Sequence, residues 1–137
     1  MLPLQEPVKT GDKNRRVKVL LADDEPAVQQ TIKRRLVAIG YEVIIANNGE
    51  EALWLARQEN PDVIVMDIMM PKMNGDMVAA ELKSDQRTID IPIIFLTCLI
   101  QPDEALTPQH TVGNNLMLAK PLDSVRLVAM IEKVVGR

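Results

Sequence analysis

Five side chains in this sequence stand at matching places, each where a short apolar run ends. Asp23 and Asp24 follow 17–22 (VKVLLA), Asp67 closes 63–67 (VIVMD), Thr97 closes 91–97 (IPIIFLT), and Lys120 follows 116–119 (LMLA) just before Pro121. Open α/β sheets bind ligands outside the carboxyl ends of their strands, so these residues are expected to converge on one edge. Carboxylates gathered in so small a space repel one another unless a cation lies between them. An all-oxygen set with room for water and a phosphate suits Mg²⁺. Asp67, at the end of the central strand, is the candidate nucleophile, placed to attack phosphorus and form an aspartyl phosphate. Thr97 and Lys120 would then hydrogen-bond and neutralise the phosphoryl oxygens. Neither a P-loop nor G-x-G-x-x-G occurs, so nucleotide-binding readings fall early.

What must position these groups is an alternation of short apolar runs with segments of helical period. Strands are predicted at 17–22, 42–46, 63–67, 91–97 and 116–119. Pro26 suits the first turn of a helix in which Val28, Ile32, Leu36 and Ile39 recur until Gly40 supplies a stop. Further helices are expected over 50–58, 76–83 and 125–135, while Pro102 and Pro108 leave room only for a short or distorted one between the last two strands. Each strand followed by a crossover gives an α/β fold, a doubly wound five-stranded parallel sheet with helices on both faces. Residues 1–16 are polar, with Pro3, Pro7 and Gly11 and a basic cluster at Lys13, Arg15 and Arg16, and read as a flexible N-terminal arm. The remainder, 17–137, is one domain's worth of chain.

Composition narrows the function classes. Of 137 residues 47% are hydrophobic and 26% charged, the balance of an ordinary globular domain. Tyr41, Trp54 and Phe95 are the only aromatics, too few for a base-stacking platform, and a net charge of −3 removes the basic footprint of direct nucleic-acid binding. A single cysteine, Cys98, excludes an internal disulfide, and a single histidine, His110, excludes a His-rich zinc site. No apolar run is long enough for a signal peptide's core or a membrane span, so a cytoplasmic protein with no membrane partner is expected.

At these residues the sequence resembles the receiver domain of two-component response regulators, over almost the whole stretch 17–135. Asp23-Asp24-Glu25-Pro26 is similar to the family's acidic pair after strand one, and 67–75 (DIMMPKMNG) to its phosphoacceptor loop. Thr97 and Lys120-Pro121 fall where its switch hydroxyl and lysine belong. The resemblance implies a flavodoxin-like receiver fold with sheet order 2-1-3-4-5 and Asp67 as phosphoacceptor. It also implies Mg²⁺ held by Asp24, Asp67 and the backbone carbonyl of Met69, with Asp23 acting through water. The implied phosphoryl donor is a histidine kinase or histidine phosphotransfer protein, and the implied product is a changed surface read by a downstream protein target. A homodimer is admitted by this reading and not required by it.

Two departures stand out. The family usually has an aromatic three residues before the lysine, and here that place holds Met117, whose flexible thioether lacks a ring's two-position character. Met69 and Leu99, two residues after the acceptor and the threonine, put apolar side chains where a hydrolytic water must approach, which predicts a long-lived phosphoryl group. Cys98 reads as a small apolar residue, His110 as a solvated loop histidine, and Trp54 as an indole left at the edge of a helix whose inward stripe is Ala52, Leu55 and Ala56. The leading expectation is a phosphorylation-dependent switch that catalyses its own phosphorylation and dephosphorylation only. With nothing after Arg137, a single-domain protein without an output module is expected. A binding module that keeps only the fold is weakened by the intact set of site residues. A metal-dependent phosphohydrolase would need a second acid near Asp67, where Ile68 and Met69 stand.

Overall fold

Strands β1 (Lys18–Ala22), β2 (Glu42–Ala46), β3 (Val63–Asp67) and β4 (Ile93–Thr97) lie in the order β2-β1-β3-β4 and pair in parallel. The computed structural model describes residues 15–97, 111–112, 115–119 and 124–136. Outside them lie most of the expected arm, the expected helix between Pro102 and Pro108, and Cys98, Leu99, His110 and Lys120. Helices α1 (Pro26–Ala38), α2 (Gly49–Glu59) and α3 (Gly75–Lys83) alternate with the strands, and α4 (Ser124–Val135) closes the described chain. Over these four strands the arrangement is the doubly wound parallel sheet that the alternation of elements predicts.

The five-stranded, all-parallel expectation is corrected at one edge. Beyond β4 the sheet continues through β6 (Asn115–Ala119), parallel to it, and ends in a two-residue strand β5 (Thr111–Val112) antiparallel to β6. Val112 pairs with Asn115, and the Gly113-Asn114 between them in sequence is a dipeptide type that favours a two-residue hairpin. At the start of β4 the strand begins at Ile93, not at 91, because Pro92 has no N–H for the ladder and contributes only its carbonyl, to Ile64 N at 3.0 Å.

Successive strand residues face opposite sides, so a continuous apolar strand feeds two cores. Leu20, Ala22, Ile64, Met66, Ile93 and Phe95 pack with Ala52 and Ala56 of α2 and Val78, Ala79 and Leu82 of α3. Val19, Leu21, Val63, Val65, Ile94 and Leu96 pack with Ile32 and Leu36 of α1 and Leu127 and Ile131 of α4. The sheet is therefore covered on both faces, as expected. Trp54 is 61% exposed while Ala52 and Ala56 are buried, as the helical stripe predicts; Leu55, the third member of that stripe, is only half-buried, as is Leu53. Arg15, near the end of the expected arm, is tied to Asp62 at 2.6 Å. Among the described residues no helix is long and apolar enough to cross a membrane.

Asn48 and Asn74 cap α2 and α3 by accepting from Glu51 N and Met77 N at 2.9 and 3.1 Å. The far ends of these helices are tied through Asp85, which accepts from Arg57 Nε at 3.1 Å and from Arg87 Nη2 at 2.8 Å. The side-chain hydrogen bond from Arg87 is the largest cause, and the Arg87 backbone N–H the next, of an Asp85 carboxyl held far below the usual carboxylate range. A carboxyl lowered on folding stabilises the native state above its ordinary value of 3.8, and that contribution is lost as pH falls below it. Asp85→Asn should therefore lower the urea midpoint at pH 7, with a gap from the parent that narrows as the pH is taken from 4 towards 2 (approximate window); a gap that stays constant over that range would contradict the assignment.

Candidate functional site

Parallel register brings the acids together. Ala22 pairs with Met66, so the next step along both strands sets Asp23 beside Asp67, and Asp67 in turn pairs with Leu96, one residue before Thr97. Asp23 is fully buried and Asp67 nearly so. Each acid is oriented by its own backbone: Asp23 Oδ1 accepts from Glu25 N at 2.9 Å, and Asp67 Oδ1 from Met69 N at 3.0 Å. In both cases an aspartate side chain mimics a turn by bonding two residues ahead.

Carboxylate oxygens of Asp23, Glu25 and Asp67 lie within 4.8 Å of one another. Glu25 is the member that the sequence reading missed. The residue before a proline is pushed to extended backbone, and Glu25, ahead of Pro26, has φ −98° and ψ 114°. A two-residue step in extended chain returns to the same side, which brings Glu25 back towards Asp23. Pro26 was the available signal. Asp24, one of the ligands that the resemblance implies, is exposed and lines an open cavity of about 470 Å³ with Ile68, Met69, Met70, Pro71 and Asn74 of the acceptor loop. The trio of hard oxygen donors fits a divalent cation of the Mg²⁺ kind, and Asp24 stands at the rim beside it.

The acceptor loop is pressed down by two glycines. A Cβ on Gly75 would lie 2.6 Å from the Asp67 carbonyl oxygen and 3.2 Å from the Phe95 ring, and Gly75 N donates to Ile68 O at 2.6 Å. A Cβ on Gly49, at the start of α2, would run into the Met73 backbone, and Gly49 N reaches Pro71 O at 3.5 Å. Between them Lys72 takes φ 70°, a left-handed conformation uncommon for a lysine. Ile68 is buried under this loop, whereas Met69 is 60% exposed at its surface.

The acid-bearing turn has a support of its own. Gln29, on the first turns of α1, donates from Nε2 to the Asp23 carbonyl at 2.5 Å and to Asn47 Oδ1 at 2.8 Å. Asn47 N and Nδ2 both go to Glu51 Oε1, at 2.6 and 3.1 Å.

Of the expected site residues, Asp23 and Asp67 meet directly, Asp24 borders the acceptor loop, and Met69 joins through its backbone N–H. Thr97 is at the carboxyl end of β4, paired in register with Ala119, the residue before Lys120. The Thr97 and Met117 side chains, like Lys120, lie outside the described residues.

The sequence profile of the response regulator receiver domain matches residues 19–132. The probable transcriptional regulator ycf27 of Porphyra purpurea is 40% identical over 90% of this chain and 49% of its own length. The DNA-binding dual master transcriptional regulator RpaA of Synechocystis is 34% identical over 88% of this chain and 49% of its own. The chain thus spans about half the length of these curated relatives. Among solved structures, chemotaxis response regulator CheY4 of Vibrio cholerae is 31% identical with a TM-score of 0.75, covering 88% of this chain and 99% of that one. The receiver domain of a sensor histidine kinase of Pseudomonas aeruginosa, described with a magnesium ion coordinated in its active-site cleft, is 26% identical with a TM-score of 0.76, covering 90% and 100%. With its acids at the carboxyl end of a 2-1-3-4 sheet and this match along most of its length, the chain belongs to the response regulator receiver domain family.

Proposed function

We propose that this chain is a phosphorylation-dependent switch of a two-component phosphorelay, with Asp67 as its phosphoacceptor. The observation that carries the reading is the convergence of Asp23, Glu25 and Asp67 at the end of the central strand. An oxygen of the Asp67 carboxylate attacks the phosphorus of a phosphohistidine on a kinase or phosphotransfer protein. A P–O bond forms, the P–N bond breaks, and the leaving imidazole nitrogen keeps the bonding pair and takes up a proton. Asp23, Asp67 and the neighbouring acids Asp24 and Glu25, with the Met69 carbonyl as a further oxygen donor, would hold Mg²⁺, which when bound would neutralise charge on the phosphoryl oxygens. Lys120 and Thr97, just past and at the ends of their strands, provide the remaining ammonium and hydroxyl.

The chemistry ends on the protein itself, so the chain is a switch and not an enzyme with a released product. Phosphorylation biases the surface of the chain between two states, and a downstream protein reads the difference. The names of the curated relatives point to transcription control as the setting. For the residues of this chain, a net charge of −3 favours protein contacts over direct contact with nucleic acid.

Incubation with Mg²⁺ and acetyl phosphate should add one phosphoryl mass to the protein, and Asp67→Asn should abolish the addition; a labelled Asp67→Asn would sink the acceptor assignment. Mg²⁺ at a hundredfold its dissociation constant should stabilise the fold by about 2.7 kcal/mol. In metal-free buffer Asp67→Asn should melt above the parent, because one of three crowded negative charges is gone, and it should lose most of the response to Mg²⁺. Both signs are read from the same thermal scans.

Met69 stands exposed beside the acceptor and offers an in-line water neither a base nor a hydrogen bond. Met69→Asn, which can hold that water, should shorten the phosphoryl lifetime after removal of acetyl phosphate. An unchanged decay, followed by intact mass, would remove Met69 from the account.

A further inference from the structure

Gln29 bears no acid and touches no phosphoryl group, yet it holds both ends of the acid-bearing turn. Its backbone N–H donates to Glu25 O at 3.0 Å, and its side-chain Nε2 donates to Asp23 O at 2.5 Å. The same nitrogen donates to Asn47 Oδ1 at 2.8 Å, so its two hydrogens have separate acceptors, one on the turn and one on the β2–α2 corner. The side chain is buried, at 6% exposure, where an amide is retained only if its hydrogen bonds are made.

The consequence is geometric. Asp23 N is fixed to Ala46 O at 3.2 Å, and with Gln29 on its carbonyl the peptide joining Asp23 to Asp24 cannot rotate freely. That peptide leads to Glu25, whose N–H sets the Asp23 carboxylate through the 2.9 Å bond to Oδ1. Asn47 is steadied in turn by Glu51, and two residues on, Gly49 meets the acceptor loop at Pro71. One corner of the fold, which supplies no member of the acid trio, therefore braces both loops that do.

We propose that Gln29 is a positioning residue for the divalent-cation site: its amide fixes the Asp23–Asp24 peptide against Asn47, and so sets the Asp23 and Glu25 carboxylates at their spacing from Asp67. The inference rests on the cation-dependent switch proposed above. An acidic side chain at 29 lacks the donors, asparagine is one methylene short, and methionine matches the length without donating.

The test uses the full chain with Gln29→Met and Asn47→Ala, Mg²⁺ affinity by calorimetry, and acetyl-phosphate labelling rates across a Mg²⁺ series. Loss of a residue that orients a metal ligand weakens the metal by roughly tenfold or more. Gln29→Met should thus raise the Mg²⁺ dissociation constant about tenfold and move the labelling curve to higher Mg²⁺, with the rate recovering at saturation. Asn47→Ala, at an exposed position, removes one of the two acceptors of Gln29 and the Nδ2 donor to Glu51 but leaves the bond from Gln29 to the Asp23 carbonyl; it should move both in the same direction by less, and it decides the matter if Gln29→Met does not fold. A melting temperature that falls while the Mg²⁺ constant stays at the parent value in the folded variants would make Gln29 an ordinary core residue and overturn the proposal. A parent protein that binds no Mg²⁺ overturns the switch reading and this inference together, so the parent titration separates the two failures.

Discussion

Like charges have to be held together here by something other than their own attraction, and the parallel pairing of β1 with β3 does it. Register fixes which residues leave the sheet side by side, and a shift of one residue would carry Asp23 away from Asp67 and turn every apolar side chain of the strand to the other face. The two cores forbid that shift. Leu20 and Ala22 belong to one and Val19 and Leu21 to the other, so β1 has no alternative register that keeps both filled. The acids are thereby positioned by hydrophobic burial acting along the strand.

Packing of the backbone then does what side-chain charge cannot. Gly75 lets α3 start directly against the Asp67 carbonyl and the buried Phe95 ring, while Gly49 brings α2 against the Met73 backbone. Both helices have asparagine caps at that end of the sheet, so their first turns are fixed where the acceptor loop needs walls. Met69 remains on the outside because Ile68 occupies the pocket beneath. The exposed apolar neighbour of the acceptor is thus a consequence of alternation through the loop's first residues, with no special feature needed to expose it.

Most of this was legible as periodicity. The strand over 42–46 and the one over 63–67 come out with the bounds read from sequence, because each is a β-rich run ended by turn residues or an acid. The helix starts at Pro26, Gly49 and Gly75 fall within a residue of expectation, since caps and helix-starting residues are local signals. What periodicity does not carry is the hairpin of Thr111–Val112 with Asn115–Ala119, where two residues are too few to show a pattern. Nor does it carry the entry of Glu25 into the acid group, which depends on Pro26 fixing the backbone ahead of it. Gln29 was invisible for another reason: a polar residue on an otherwise ordinary helix face looks solvated until the turn it grips is built.

Magnitudes bear on why a covalent step would be needed at all. Turning a two-state surface from 1:99 to 99:1 takes about 5.5 kcal/mol of differential interaction. A cation at a hundredfold its dissociation constant supplies at most about 2.7 kcal/mol, and that only if it bound one state alone. Asp23 and Asp67 are braced by nearby backbone amides, Glu25 N and Met69 N respectively, so the site is largely formed before any ion arrives and the ion discriminates little between states. In the proposed switch the metal therefore conditions the site without throwing it. The remainder must come from a group that is held covalently at Asp67, does not dissociate at low concentration, and brings new oxygens for the residues at the ends of β4 and β6 to bind.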